Sequence, residues 1–530
     1  MTPSKDVTIS LCMIVRNEEA NLPRCLDSVR DQVDEIIVVD TGSQDRTRDI
    51  AALYGAKVLE FQWNNDFSAA RNVSVQHATG DWVLWLDADE ELLPSPEGVT
   101  LRQLAACADA AAYLIPIENV KLQGSPSYHW AVRFFKKCQG VRFEGRVHEG
   151  VSNSLLRMGM PLDRAPVAIR HWGYAVSEER LQEKIERNLG LLKAYVREHP
   201  EDSFAHYYMG VTLLVRGEHD GSLEYLEKAH ALDPPTDNLR SLVFNLLSYH
   251  HLYRKNYKKA EEYARSSLKV TPNQHTGKLF LGLSLYHQQK YSEALPFLLA
   301  AYQFQRLPLE MRRSDLSSEE YYSEPELLWL VGRSAYETGN HTLAYQFLQR
   351  FLRMKSRDAV GLALLGLCTL QLGDPVAAAR HLGEAKAEGA SWSSVGPPWV
   401  YALVRLGSLQ EAAFVLREAG VEFFRNPDAR SIFPLLVERC FKEGWLPQLM
   451  TVLNFIAEQS EDCPALVLDA LAVCCIKTER FEEAARVLSR MAEKDPANRE
   501  IRRRLAAVYA RLGRKPEAVS LLRTVEGHPG

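Results

Sequence analysis

The sequence predicts two architectures in one chain: an α/β domain with a mostly parallel sheet over residues 1–177, and an all-α repeat array over 200–530. Three observations carry this. Strand-like and helix-like runs alternate up to about residue 175. From about residue 200, small and large apolar residues recur with a 34-residue phase. Between the two lies "EERLQEKIERNLGLLKAYVREH" (178–199), whose amphipathic spacing reads as a long linker helix.

The N-terminal runs follow in order. "VTISLCMIV" is β-rich, and "NEEANLPRCLDSVRDQ" has helical spacing. "VDEIIVVD" reads as a buried strand, and "SQDRTRDIAALYGA" as a helix opened by a Ser cap. "KVLEFQW", the helix "DFSAARNVSVQHAT" and the strand "DWVLWLDAD" complete the alternation. Such order argues for a parallel sheet covered by helices, with the ligand at the carboxyl ends of the strands. Asp40 falls at one such end, and Asp87 and Asp89 at another.

In the second region, Gly210, Leu226, Ala229 and Pro234 mark one unit, and Ala260 and Pro272 the next. Gly282, Ala294 and Leu298 continue it; Gly332, Ala344 and Leu348 restart it. Gly366, Ala378, Leu382 and Ala385 follow 34 residues on, then Ala412 and Leu416, and finally Ala484, Leu488 and Pro496 with Ala518 and Leu522. Small residues let paired helices approach, and the terminal Pro stops the second helix. The pattern matches about nine tetratricopeptide repeats, degenerate near 427–460, with 307–324 expected as a connecting loop or short helix. An array of this kind forms a solenoid whose concave face suits an extended peptide or protein. Tyr207, Tyr208, Tyr249 and Tyr253 could line that face or serve as core, and the array could also mediate homodimerisation.

Composition narrows the class. The chain has 530 residues, 46% of them apolar and 25% charged, with net charge −5 from 63 basic and 68 acidic residues. That balance does not favour general nucleic-acid binding. Nine cysteines lack metal-ligand or disulfide-framework spacing, so reduced thiols are the simpler reading. The N-terminus has too short an apolar core for a signal peptide, and no run reaches transmembrane length. A soluble, cytoplasmic protein with no membrane span is expected.

The chemistry begins at "WVLWLDADEEL". Carboxylates crowded at a strand end repel unless a cation neutralises them. Mg²⁺ and similar hard ions are commonly held by one or two carboxylates with substrate phosphates completing the shell. An Asp-Ala-Asp triplet therefore suits a metal bridging to a diphosphate, where it acts as a Lewis acid. Glu90 and Glu91 are expected in the following turn, solvated or locally paired.

"SLCMIVRNEEANLPRCLDSV", "IIVVDTGSQDRT" and "AARNVSVQHATGDWVLWLDADE", in that order, resemble the nucleotide-sugar-dependent glycosyltransferases of family two with the GT-A (Rossmann-like) fold, over residues 7–175. "RVHEGV" and "IRHWGY" ahead of tetratricopeptide repeats resemble the bacterial subgroup that includes peptide S-glycosyltransferases. The resemblance implies a metal-dependent, inverting transfer from a UDP-sugar to a peptide or protein acceptor held by the repeats, with Mn²⁺ or Mg²⁺ as cofactor. It places Val15, Arg16, Asn17 and Glu18 against the nucleoside and gives Asp40 the uracil N3–H. Thr41 stands where the family's second Asp is usual. Asp45 supports the loop or nucleotide, or caps a helix. Arg71 fixes the nucleotide or its phosphates, or is a surface helix Arg. Asp87, with Ala88 beside it, faces the ribose or sugar, and Asp89 ligates the metal. His171 completes the metal shell or caps a turn; a neutral imidazole suits Mn²⁺ better than Mg²⁺.

Inverting transfer to a hydroxyl needs a base for the acceptor proton. Glu149 is the candidate, with a salt bridge as the alternative; a Cys acceptor ionises more easily and needs less help. His148 could meet the diphosphate or acceptor, and Arg133 a phosphate. Trp63, Trp130 and Trp172 could stack on sugar rings or simply pack. Two other readings stay open: transfer to a lipid-linked or surface glycan, and a non-catalytic repeat scaffold.

Overall fold

The computed structural model describes residues 7–107, 110–121, 127–145, 149–174, 178–307, 318–319, 322–459 and 463–526. The chain divides into two compact units, Met1–Leu327 and Leu328–Gly530. Among the described residues, no helix is long and apolar enough to cross a membrane.

The first unit holds the α/β domain, the linker helix and three repeat pairs. Its sheet opens with β1 (Ile9–Val15), β2 (Glu35–Asp40), β3 (Lys57–Glu60) and β4 (Trp82–Trp85), interleaved with α1 (Leu22–Val29), α2 (Thr47–Leu53) and α3 (Phe67–His77). These four strands pair in parallel in the order β3-β2-β1-β4. The four residues of β4, "WVLW", are all buried, as a strand covered on both faces requires. Asp66 caps α3 by accepting from the Ala69 amide at 3.0 Å. The expected Ser cap of α2 does not form: the helix starts at Thr47, and Ser43 Oγ instead accepts from the Asn17 amide at 3.0 Å.

The expectation of a mostly parallel sheet is corrected beyond β4. There follow β5 (Glu90–Leu93), α4 (Leu101–Ala106), β6 (Ala112–Lys121), β7 (Ser127–Lys136), α5 (Ser152–Arg157), β8 (Leu162–Arg164) and β9 (Ala168–Tyr174). β7 runs antiparallel to β4 and β6, and β5 antiparallel to β9. The sheet is therefore mixed, in the order β3-β2-β1-β4-β7-β6-β9-β5. The long β6 and β7 pair directly along their lengths, where alternation with a crossover helix would have given parallel strands.

α6 (Glu178–Glu198) leads into α7 (Ser203–Val215), α8 (His219–Ala231), α9 (Asp237–Tyr253), α10 (Tyr257–Val270), α11 (His275–His287) and α12 (Tyr291–Arg306). Beyond α12, Ser318–Glu319 (β10) pairs antiparallel with His129 and Tyr128 of β7. The connector after the third repeat thus adds a short strand to the sheet of the α/β domain. The second unit runs from within α13 (Glu324–Glu337) to α24 (Lys515–Glu526), so α7–α24 make nine helix pairs among the described residues. Residues 429–458 form an ordinary pair despite their weak repeat signal and the internal Pro434.

The repeat phase has a direct physical cause. A Cβ on Gly210 would lie 2.7 Å from Leu226 Cγ, and one on Gly366 2.7 Å from Leu382 Cγ. A leucine of the second helix occupies the space that the glycine leaves. α8, α10 and α22 end at Ala231, Val270 and Lys494, just before Pro234, Pro272 and Pro496. Tyr207 is buried in the core of these helices, while Tyr253 is exposed and stacks on His219 at 4.1 Å.

Candidate active site at the DAD turn

Two loops meet at the carboxyl ends of β1 and β2. Asp40, 2% exposed, accepts from the amides of Gly42 and Ser43 at 3.1–3.2 Å. Asn17 takes a left-handed backbone (φ 56°) and accepts from the Gln44 amide at 2.8 Å. The Glu18 amide donates to Thr47 Oγ1 at 2.8 Å, and the Glu19 amide to Asp45 at 3.1 Å. Asp45 also accepts from Thr47, so it both supports the loop and stands at the start of α2. Val15 is buried beneath, and Arg16 is exposed.

Asp87 and Asp89 lie in the turn between β4 and β5. Trp172 N donates to the Asp89 carbonyl at 2.9 Å, and Glu90 pairs with His171 in the β5–β9 ladder. That ladder, in which Glu90 and His171 pair across 81 positions, brings "DAD" and "HWG" together. His171 Nε2 is 3.4 Å from Asp89 Oδ1, and its Nδ1 lies 2.8 Å from Asn119 Oδ1. Asn119 accepts only through that oxygen, so Nδ1 carries a proton; Nε2 donates to Asp89 when the ring is protonated and is the ligand nitrogen once it is neutral. Asn119 Nδ2 continues to His129 Nδ1 at 3.1 Å.

Burial opposes charge on Asp89, but the hydrogen bond and charge of His171 and the ammonium of Lys184 outweigh it and hold the carboxyl well below its usual range. Burial likewise opposes charge on His171, and Asp89 more than offsets it, raising the imidazole. Asp87 is held low by Arg71 and Arg133 against its burial.

The two donors face one small space. A Cβ on Gly173 would sit 2.3 Å from His171 Nε2 and 2.5 Å from Asp89 Oδ2. Glycine at 173 is therefore what lets the two groups approach, and His171 Nε2 at 3.4 Å from Asp89 Oδ1 is spaced as two ligands of one ion are. Among the described residues, no group of three or more His, Cys, Asp or Glu side chains gathers into a closed metal site. Two protein donors with open positions fit an ion whose shell a diphosphate completes.

Arg71 is 5% exposed, which removes the surface-helix alternative. Its Nη2 donates to Asp87 at 2.6 Å and its Nε to Glu149 at 2.5 Å, while the guanidinium lies 4.3 Å from the Trp85 ring centroid. Glu149 thus makes the salt bridge that the sequence left open. Its neighbour His148 lies outside the described residues.

Two expectations are corrected here. Arg133 does not reach toward a phosphate: it is buried, donates to Glu90 at 2.7 Å and packs 3.5 Å over Trp85. Glu90 begins β5 rather than sitting in the turn; it is locally paired, 1% exposed, and also accepts from the Asp87 amide at 2.9 Å. Burial pushes its carboxyl up to about 7 despite Arg133. Arg133 and Glu90 therefore brace the turn from below. Glu91 accepts from Trp172 Nε1 at 3.3 Å. Trp130 is buried against Arg164, and Trp63 packs edge-on to Phe67 at 4.8 Å.

Three participants escaped the sequence reading. Asn119 orients His171. Lys184 of α6 lies 3.5 Å from Asp89 Oδ2. Tyr208 of α7 is pushed up to about 12 by burial and then by the charge of Glu149, which places the first repeat beside the site. Only the i, i+3 spacing of Lys184 and Arg187 hinted that α6 carries charge on one face.

Residues 10–160 match the model of glycosyl transferase family 2, and residues 245–308 and 476–527 match tetratricopeptide repeat models. The N-terminal domain belongs to glycosyl transferase family 2. A TPR repeat-containing protein of Synechococcus elongatus is 40% identical over 248 residues, 45% of this chain and 60% of that protein. The SPbeta prophage-derived glycosyltransferase SunS of Bacillus subtilis is 28% identical over 225 residues, 42% of this chain and 53% of SunS. An uncharacterized glycosyltransferase of Rickettsia typhi is 43% identical over 84 residues, 16% of this chain and 28% of that protein. This chain spans little more than half the length of the first two relatives, so their activity does not pass to the whole chain by likeness alone. Among solved structures, YrrB, a TPR protein with an unusual peptide-binding site, aligns at TM-score 0.31 and 16% identity over 37% of this chain and 92% of YrrB.

Proposed function

We propose that the chain is a metal-dependent glycosyltransferase that moves a sugar, with inversion, from a UDP-sugar to a peptide or protein acceptor presented by the repeats. The observation that carries the reading is the approach of His171 Nε2 to within 3.4 Å of Asp89 Oδ1, which glycine at 173 leaves room for. Mn²⁺ or Mg²⁺ bound there supplies Lewis-acid stabilisation of the departing diphosphate. The other roles fall to the chain's own residues. Val15, Arg16, Asn17 and Glu18 form the loop against the nucleoside, and Asp40 faces the base from the end of β2. Arg71 holds Asp87 in place for the ribose or sugar. Asn119 keeps His171 in the tautomer that offers Nε2. Glu149, anchored by Arg71, is the base for the acceptor proton, and a thiol acceptor asks least of it.

The test is calorimetric UDP binding with and without Mn²⁺, in the wild-type chain and in Asp89→Ala. Metal-dependent binding that D89A loses is expected, together with turnover lower by about a thousandfold, the scale of removing one electrostatic stabiliser. Wild-type protein that binds no UDP with metal would sink the reading. Intact-mass spectrometry of co-expressed candidate proteins then identifies the acceptor. A hexose-sized increment on a polypeptide supports the protein acceptor, and the same increment found only on a lipid-linked glycan overturns it.

A further inference from the structure

We infer that Lys184, on the helix that joins the α/β domain to the repeats, is a further catalytic residue that binds the departing diphosphate of the donor. The inference rests on the nucleotide-sugar reading above and adds to it a residue from outside the family domain.

The argument starts from charge. Asp87, Asp89, Glu90 and Glu149 crowd the site, and two buried guanidiniums answer them. Both are committed. Arg71 is held by Asp87 and Glu149, and Arg133 by Glu90, with each packed on Trp85. At about 5% exposure neither can turn toward a ligand. A diphosphate arriving at Asp89 brings more negative charge to a site whose buried cations are already engaged.

Lys184 is differently placed. Its side chain is 41% exposed, and its Nζ lies 3.5 Å from Asp89 Oδ2 and 3.3 Å from the Gly173 carbonyl. Both contacts are long for an ammonium, and an ammonium has three donors. The group therefore stands on the open side of the Asp89–His171 pair, able to keep a loose contact and still meet a phosphate oxygen. Arg187, one turn further along the same face, lies 5.4 Å over the Phe67 ring and within electrostatic reach of Arg16 and Glu149. The opposite face of α6 is fixed: Ile185, Leu189 and Leu192 pack with Met209 and Leu213 of α7. The first repeat thereby holds a cationic face over the nucleotide cleft.

In the transfer, the acceptor's lone pair forms the bond to the anomeric carbon. The bond from that carbon to the diphosphate oxygen breaks, and its electron pair stays on that oxygen. The acceptor proton passes to Glu149. Lys184 meets the charge that develops on the leaving oxygen, without itself losing a proton.

The full-length chain tests this. UDP and uridine affinities are measured by calorimetry for wild type, Lys184→Ala, Lys184→Arg and, as a control on the exposed face of the same helix, Lys193→Ala. K184A should bind UDP about tenfold or more weaker, the scale of one charge-assisted hydrogen bond, with uridine affinity unchanged. K184R should recover most of the loss, and K193A should match wild type. Equal UDP affinity in K184A and wild type overturns the inference alone. So does an equal loss for uridine, which would mark a structural role. Wild-type protein that binds no UDP at all overturns the donor reading and this inference with it.

Discussion

The α/β domain and the repeats both use glycine to make room, but for different occupants. In the repeats, the missing Cβ of Gly210 or Gly366 is replaced by leucine carbons of the partner helix, and the space is filled within the fold. At Gly173, a Cβ would run into an imidazole nitrogen and a carboxylate oxygen, so the missing side chain lets two polar groups meet. The buried polar groups differ in the same sense. Around Gly173 they are charges in a network: Arg71, Arg133, Glu90 and Asp89. In the repeats they are mostly neutral, such as Ser241, Ser267, Gln274 and His250. A close-approach glycine therefore says little until its neighbours are named. Carbon neighbours mean packing, and polar donors of opposite kind mean a site.

The largest effect should come from the charge network. Arg71→Met leaves Asp87 and Glu149 without their shared partner in a buried setting, a loss of about 3–5 kcal/mol. Hydrogen-exchange mass spectrometry should show protection lost within residues 7–174 and kept in 328–526. Uniform loss across both would mean that the network does not belong to the α/β domain alone.

The next contrast is between the two kinds of glycine. Gly173→Ala forces both donors apart, and Mn²⁺ affinity should fall about 100-fold or more, since the donors themselves move and not only their supports. Gly366→Ala pushes on Leu382 and should cost about 1–2 kcal/mol of local stability, overpacking set against better helix propensity. It should leave Mn²⁺ affinity untouched. If G173A costs stability and spares the metal, the two glycines are alike and Asp89 with His171 is not the metal-holding pair.

The same comparison explains what the sequence could say. The repeats were legible because each unit solves one packing problem again every 34 residues, so Gly210 and Leu226 announce each other. The first four strands were legible through buried runs such as "WVLW" ending in charge. The rest of the sheet was not. β6 and β7 carry polar residues such as Glu118, Asn119 and Arg133, whose burial depends on partners far away in sequence. Asn119 reaches His171 across 52 positions, and Lys184 reaches Asp89 across 95. No local pattern encodes such pairs. Arg133 was misplaced for that reason: its partner Glu90 was expected in the turn, solvated or locally paired, with no partner named.

Asn119 offers a third test, a smaller one. Asn119→Ala removes the acceptor that holds the proton on His171 Nδ1 and frees the ring to present either nitrogen. Mn²⁺ affinity should fall about 10–100-fold, the usual cost of removing an orienting partner. Circular dichroism and the UDP affinity measured without metal should stay as in wild type. A loss of metal-free UDP affinity would instead make Asn119 part of the nucleotide pocket.

The smallest effect separates the regions by pH. His250, at the end of α9, is fully buried, with its Nε2 2.9 Å from Ser222 Oγ and the His219 ring edge-on at 5.9 Å. Burial, then the charges of His219 and Arg254, push it down to about 4 from an ordinary value near 6.5. Between those values the unfolded chain binds a proton that the folded chain refuses. Stability is therefore complete above about pH 6.5 and falls as pH drops toward 4. His251 on the same helix is shifted in the same direction by burial, which adds to the slope. At His171 the sign is opposite: Asp89 raises the imidazole, so its contribution is present at low pH and fades as pH rises past the raised value. Acidification from pH 7 to 5 should thus loosen α8 and α9 before it loosens β9, seen as earlier amide exchange at 219–253 than at 168–174. His250→Gln keeps a polar ring-sized neighbour for Ser222 but cannot titrate, and it should flatten the response of α8 and α9. An unchanged pH slope in H250Q would place the acid sensitivity elsewhere in the repeats.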